Sequence, residues 1–317
     1  MPRGLCGREL AVVEKHTSDS KMEDGVRVWQ WEGAWSVCKN GRLWVHNDTP
    51  RKQAYQELYF HSAKSVVGTL TCSHPIKLWD LKRHLTPRET ARLQGFPETM
   101  TLPASSYCRL FGNAVSVKCA AFAISRVCES HETIRHLDLC SGIGGFSFAV
   151  GMQLPKASTV GFSEIMKAAK ECYSQNFPSV PDLGDAHTAT WPECDLITAG
   201  FPCQPFSCSN SRARRRDHKS KDFYEVVVAA VSSSRATRVV LENVSSFRTV
   251  GREKFQHLMK ALEALGFYMS CEVLVGTDSG VPQRRRRLYM VGSRAAPPLP
   301  WVRPSATPTT LHDILDR

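Results

Sequence analysis

The chain has 317 residues, 42% hydrophobic and 22% charged, enough for one large α/β domain and a small lobe, which excludes a disordered chain and a miniature disulfide scaffold. No window approaches the roughly 18 consecutive apolar residues of a membrane span, Met1-Pro2-Arg3-Gly4 lacks a signal-peptide core, and twelve cysteines without a C-x-x-C pair argue for free thiols in a reduced intracellular compartment and against zinc. Lys plus Arg exceed Asp plus Glu by 11, and residues 212–221 with 284–287 supply nine of that excess, a local field that favours a polyanionic partner over a merely solvated face.

In chain order, residues 1–54 mix charges, glycines and Trp29, Trp31 and Trp35, with short strands expected at 26–31 and 42–46. Thr86-Pro87-Arg88-Glu89 offers a threonine cap, proline at the first helical position and glutamate at the third, a capping box opening a helix that Gly95 closes. A second helix follows Asn113, with Val117, Ala120, Ala121, Ile124 and Val127 on one face. Beyond residue 131 strands and helices alternate, the pattern of a parallel sheet covered on both faces. Strands at 134–140, 159–163, 194–199 and 238–241 run respectively into Ser141-Gly142-Ile143-Gly144-Gly145, Glu164, Gly200-Phe201-Pro202-Cys203 and Glu242-Asn243. Phe255, Leu258, Met259, Leu262 and Leu265 mark a later helix stopped by Gly266, before strands near 270–275 and 288–291. The division expected is a small lobe at 1–80, a segment at 81–130 packing on the core, the main domain at 131–294 and a tail at 295–317. Ligands of an open α/β sheet bind beyond the carboxyl ends of its strands, so the four endings should line one crevice.

A strand running into a glycine-rich turn brings backbone close to a ligand, and an acid about 20 residues on can hold a ribose. Asp138, Gly142, Gly144, Gly145 and Glu164 fill those positions, though a tight turn with a surface glutamate would look the same. The glycines depart from G-x-G-x-x-G, which favours a nucleoside cofactor without a pyrophosphate. Asp185, after Gly184, can hold an adenine amino group or simply make a turn. Cys203 stands between Pro202 and Pro205 on a stiff strand-end loop beside the cationic run, where a thiol can become a nucleophile. The other eleven cysteines read as packing residues.

Together these segments resemble the cytosine-carbon-5 DNA methyltransferase family from about residue 67 to residue 292. Asp138-Leu139-Cys140-Ser141-Gly142-Ile143-Gly144-Gly145 resembles the family's first motif, Pro202-Cys203-Gln204 its nucleophile motif and Leu241-Glu242-Asn243-Val244 the motif whose glutamate meets the target base. Residues 283–287 fit its Q-x-R-x-R pattern, placing the two arginines at Arg285 and Arg287. The resemblance implies a Rossmann-like, doubly wound, mostly parallel α/β sheet binding S-adenosylmethionine. Its contacts would be Asp138, Leu139, Gly142, Ile143, Gly144, Gly145, Glu164 with Ile165, Asp185 with Ala186, and Pro202. Double-stranded DNA would be contacted by Gln204, Ser207, Arg212, Arg214, Arg215, Arg216 and Gln283, with Arg284 and Arg286 as extra charge.

Residues 83–97 look like the family's ninth motif and Phe111-Gly112-Asn113-Ala114-Val115 like its tenth, yet both precede the cofactor motif. The chain is thus similar to a circular permutant, with Asn113 and Ala114 returning beside the cofactor. The implied reaction begins with attack of Cys203 on carbon 6 of a flipped-out cytosine, with Glu242 relieving charge at ring nitrogen 3 and Arg285 and Arg287 holding the base carbonyl and a nearby phosphate or supporting the nucleophile. Only residues 1–80 remain for target recognition, so recognition is minimal or comes from a protein partner. A tRNA cytosine methyltransferase and a catalytically silent DNA-binding relative are the alternatives. The compartment would be the nucleus of a eukaryotic source or the cytoplasm of a bacterial or viral one.

Overall fold

The computed structural model describes residues 83–202 and 223–302, with 66–72, 75–78, 307, 309–316 and the backbone of five strands between residues 20 and 61. The first four, β1 Ser20–Glu23, β2 Val26–Trp31, β3 Ala34–Lys39 and β4 Arg42–Asn47, pair antiparallel in chain order. Two of them match the expected pair; β1 and β3 carry no alternation strong enough to mark them. A small sheet follows from β5 Phe60–His61, β6 Lys77–Leu78 and β7 Arg83–His84.

Helix α1, Pro87–Leu93, opens on the expected capping box: the Glu89 N–H donates to Thr86 Oγ1 at 3.1 Å and the Thr86 N–H to Glu89 Oε2 at 2.8 Å. Its end passes through Gln94 to Gly95 at φ +79°, a left-handed turn that glycine adopts without strain. Helix α2, Tyr107–Asn113, was not legible, because Ser106 enters it at φ 56° with no side-chain cap. Helix α3, Val117–Ile124, is the expected second helix.

The main sheet is built from β8 Arg135–Leu139, β9 Ser158–Ser163, β10 Leu196–Gly200, β11 Arg238–Val244, β12 Tyr268–Val275 and β13 Arg286–Ser293, in the order β12-β13-β11-β10-β8-β9. β9, β8, β10 and β11 run parallel; β13 pairs antiparallel with both β11 and β12, so β13 alone runs against the other five strands. From β8 the chain steps to β9 on one side and then to β10 on the other, so the topological switch lies between β8 and β10, where doubly wound sheets bind ligands. The strands alternate between two cores. Leu196, Val240, Tyr289 and Val291 pack with α2, α3, α4 (Gly145–Gln153) and α5 (Lys167–Asn176). Leu137, Ile197, Val239, Leu241, Leu288 and Met290 pack on the opposite face with α6 (Phe223–Ser233) and α7 (Arg252–Ala264). β11 extends three residues beyond the expected 238–241, because its ladder with β13 continues to Val244 opposite Arg287. Glu242 and Asn243 are therefore strand residues rather than loop residues.

The break expected near residue 80 does not interrupt packing. Val67 and Leu78 share a core with Leu85, Leu93, Leu311 and Ile314, so the end of the chain folds back onto α1. At this junction the Glu89 carboxylate takes both Arg83 Nη atoms at 2.7 Å and the Asp316 N–H at 3.0 Å. Burial by itself would raise its pKa, but these donors with the Thr86 N–H hold it down to about 2 against an ordinary 4.5. Because the folded value lies below the unfolded one, this stabilisation is complete above about pH 4.5 and is lost as pH falls towards 2. Thermal unfolding should accordingly show wild type well above Glu89→Gln at pH 7, with the gap closing between pH 4.5 and 2; a pH-independent gap would remove the linkage.

Candidate active site

The parallel pairings bring Leu139 level with Ser163 and Ala199, and Gly200 level with Glu242, so the carboxyl ends of β8, β9, β10 and β11 form one rim. Antiparallel β13 starts at that rim with Arg286 and Arg287.

The turn after β8 winds tightly, with positive φ at Cys140 (49°), Gly142 (55°) and Gly144 (88°). Such a φ at cysteine is uncommon and persists only where the surroundings impose it. A Cβ on Gly144 would lie 2.7 Å from the Phe177 ring, and one on Gly145 would lie 2.7 Å from Val115 Cγ2. These glycines therefore let helix α4 seat against α5 and the 113–116 segment, which brings the tenth-motif residues beside the first motif. Among the described residues a Cβ on Gly142 would meet nothing within 4 Å.

Glu164, at the end of β9, braces the turn. Its Oε2 accepts the Gly142 N–H at 2.9 Å, and its Oε1 accepts the N–H groups of Ile165 and Met166 at 2.8 and 2.7 Å. Ile165 stands 74% exposed beside it. Asp185 is exposed and its Oδ1 caps its own turn at the His187 N–H, while Ala186 is buried. The Asn113 side chain is exposed and accepts from Cys72 Sγ at 2.8 Å; Ala114 is buried.

Five of the expected site residues have buried side chains. Asp138 is fully buried, taking Ser147 Oγ at 2.8 Å and Thr198 Oγ1 at 2.9 Å. Thr198 in turn accepts from His136, whose other ring nitrogen meets Thr159, and Tyr173 completes the network at Ser147. Burial outweighs these hydrogen bonds and raises the Asp138 pKa to about 7, while burial pushes His136 down to about 3. Asp138 thus ties β8 to β10 and α4 beneath the turn, and the Leu139 and Ile143 side chains are likewise core. Gln283 is 0% exposed, accepting the Leu70 N–H and donating to the Leu93 carbonyl, both at 3.2 Å, so its amide is closed to DNA. Arg285 is 3% exposed and donates to the carbonyls of Leu70, Gly112 and Ala114 at 3.3, 2.9 and 2.7 Å. It clamps the end of α2 through these carbonyls.

Arg287 does face the rim. Its Nε lies 3.0 Å from Oε1 of Glu242, which is 7% exposed. Burial raises the Glu242 pKa, opposed by Arg287 and then Arg285. The other oxygen, Oε2, lies 3.9 Å from where a Cβ on Gly200 would sit, close to Val115 and Phe146. Asn243, which sequence reasoning left without a task, donates to the Phe201 carbonyl at 3.3 Å and accepts the Val244 N–H at 2.9 Å. It thereby fixes the strand end leading through partly exposed Pro202 to residue 203. Cys203, Gln204, Ser207, Arg212, Arg214, Arg215 and Arg216 lie outside the described residues. Arg284 and Arg286 point outward and are exposed. Among the described residues no helix is long and apolar enough to cross a membrane.

A switch-point crevice, a glycine turn braced by a strand-end acid and a buried Glu–Arg pair at the neighbouring strand end define a doubly wound α/β protein with a nucleoside-type site. The chain belongs to the C-5 cytosine-specific DNA methylase family, whose model matches residues 12–129 and 134–312. It is 34% identical over 182 residues to the type II methyltransferase M.NlaIV of Neisseria lactamica, covering 53% of this chain and 43% of that one. M.BanI of Aneurinibacillus aneurinilyticus is 36% identical over 171 residues, covering 52% and 40%, and M.HhaI of Haemophilus parahaemolyticus is 32% identical over 161 residues, covering 50% and 48%. The matched segment thus spans less than half of each of these relatives.

Proposed function

We propose that this chain transfers a methyl group from S-adenosylmethionine to carbon 5 of cytosine in double-stranded DNA. The observation that carries the reading is the register of Glu242: a buried carboxyl paired with Arg287, level with Gly200 and therefore one short step from the strand end that delivers Cys203.

The residues present fit the cofactor. Glu164 Oε2 accepts one backbone N–H and retains capacity for a ribose hydroxyl, Gly142 has no side chain of the described residues over it, and exposed Ile165 offers an apolar face to an adenine beside Asp185. When bound, the cofactor supplies the methyl group as an electrophile. Cys203, as thiolate, adds to carbon 6, and the electron pair of the 5,6 double bond moves into the ring, so that carbon 5 gains nucleophilic character. Glu242 relieves the charge by giving a proton at ring nitrogen 3, a task suited to a carboxyl whose neutral form burial favours. Arg287 balances Glu242 and is close enough to the rim to meet the base carbonyl. Once carbon 5 has formed its bond to the methyl group and the neutral thioether has been left behind, loss of the carbon 5 proton to a base would restore the 5,6 double bond and release Cys203 as thiolate. The target base must leave the duplex stack to enter the site, and the cationic run at 212–221 would hold the backbone. The position of 83–124 against α4 and β13, together with the two separately matched stretches, supports a circularly permuted order.

Glu164→Ala should weaken S-adenosylmethionine by about thirtyfold, on the order of 2 kcal/mol, since it removes both the ribose acceptor and the brace on Gly142. Unchanged affinity by calorimetry would mean the ribose is held elsewhere. The reading itself is tested by offering methyl-tritiated cofactor to cytosine-containing duplex and tRNA in competition. Label at carbon 5 of DNA cytosine is expected; label confined to tRNA, or cofactor binding without transfer, would replace the reading with one of its two alternatives.

A further inference from the structure

Tyr289 is the residue of β13 directly opposite Glu242 in the ladder, so the two side chains project from the same face of the sheet. That face is the wall carrying Val115 and Phe146, the side chains that with Glu242 Oε2 surround the Cβ position of Gly200. Tyr289 is 0% exposed, and among the described residues its hydroxyl meets no hydrogen-bond partner. A buried hydroxyl without a partner costs on the order of 1–3 kcal/mol, so it calls for a state in which a partner arrives. The charged and titratable groups acting on it are Cys119 from α3, Glu242 from β11, and Arg285 and Arg287 from the β13 side; those acting on Glu242 are Arg287 and Arg285. Cys119 already donates to Ser279 Oγ at 3.3 Å, and Arg285 is committed to three carbonyls. Glu242 is the group whose partner changes with its charge. As a carboxylate it is held by Arg287 at 3.0 Å, and as a neutral acid it loses most of that attraction.

We propose that Tyr289 is a positioning residue for the protonated form of Glu242: its hydroxyl takes up the carboxylic acid once protonation releases it from Arg287. A phenol suits this task because it both donates and accepts, and it stays uncharged, burial raising its own pKa well above the ordinary value. The orphaned hydroxyl and the Arg287 pair are then two aspects of the ionised state, and the neutral state satisfies the hydroxyl and aims the acid proton. This rests on the reading of Glu242 as the proton donor to ring nitrogen 3, since that step uses the neutral form. Hydrogen bonding to a neutral acid disfavours its ionisation, so losing the hydroxyl must lower the Glu242 pKa.

The test compares wild type with Tyr289→Phe in the full chain, without substrate, by following the side-chain carboxyl of Glu242 through a pH titration with carbon-13-labelled glutamate. The resonance is assigned by its loss in Glu242→Gln. The expected result is a midpoint lower by about half a pH unit or more in Tyr289→Phe, with a Tm at neutral pH equal to or above that of wild type, since the partnerless hydroxyl is removed. An unmoved midpoint overturns the proposal, whether or not Tm falls. So does failure of Tyr289→Phe to fold, because a hydroxyl idle in the ionised state is dispensable for packing. In methyl-transfer assays the alkaline limb of kcat should move down by the same interval with KM for duplex unchanged. Wild type that transfers no methyl group while the midpoint still moves retires the proposed function and leaves Tyr289 in place; transfer with an unmoved midpoint does the reverse.

Discussion

Cys203→Ser loses methyl transfer by at least about a thousandfold while S-adenosylmethionine affinity stays within about twofold. The physical reason lies in the nucleophile. A thiol is a few per cent ionised near neutrality and more so beside cations, of which residues 212–221 hold six against one anion, whereas a serine hydroxyl in the same place is not ionised at all. The rim meanwhile keeps its geometry, because Asn243 anchors the strand end through backbone atoms of Phe201 and Val244 and makes no use of the thiol. Stopped-flow transfer assays and calorimetry on the same preparation check both halves. Retained turnover would remove Cys203 from the mechanism; joint loss of turnover and cofactor affinity would mean a collapsed site.

The second large effect is on stability. Arg285→Met should destabilise the chain by about 3 kcal/mol or more, on the order of 8 °C in Tm, although methionine fills much of the same space. Three backbone carbonyls, at Leu70, Gly112 and Ala114, lose their donor in a place water does not reach. Because the Gly112 and Ala114 carbonyls end α2 and begin the segment that packs on Gly145, the loss should also loosen the glycine turn and raise the Kd for S-adenosylmethionine. Arg286→Met on the exposed side of the same strand serves as the comparison, with a change within about 0.5 kcal/mol expected. Equal effects at the two positions would mean that Arg285 is not a clamp.

Much of the sheet was legible because its signals are local. Apolar runs ending in Gly142, Glu164 or Pro202 mark strands that feed a rim, and the Thr86–Glu89 box marks the start of α1 without reference to anything distant. The candidate site was legible to the extent that its residues sit at strand ends. The burial of Asp138, Gln283 and Arg285 was hidden for a common reason: a polar residue inside a motif reads as a ligand contact. Their true partners, Ser147 and Thr198, Leu70 and Leu93, or Gly112 and Ala114, come from distant segments that only the fold brings near. Tyr289 was silent for a related reason. Its place opposite Glu242 depends on the antiparallel register of β13, and the R-x-R pattern by itself does not reveal which strand lies alongside. The left-handed Cys140 was equally hidden, since nothing in its residue type favours that conformation.

The most direct test of the central claim is covalent trapping. The protein is incubated with S-adenosylmethionine and a duplex containing 5-fluorocytosine, in which fluorine at carbon 5 blocks the final elimination. A denaturing gel and peptide mass spectrometry should find a DNA adduct on Cys203, dependent on both cofactor and duplex. Cofactor binding without any adduct, or an adduct on another cysteine, would contradict the account.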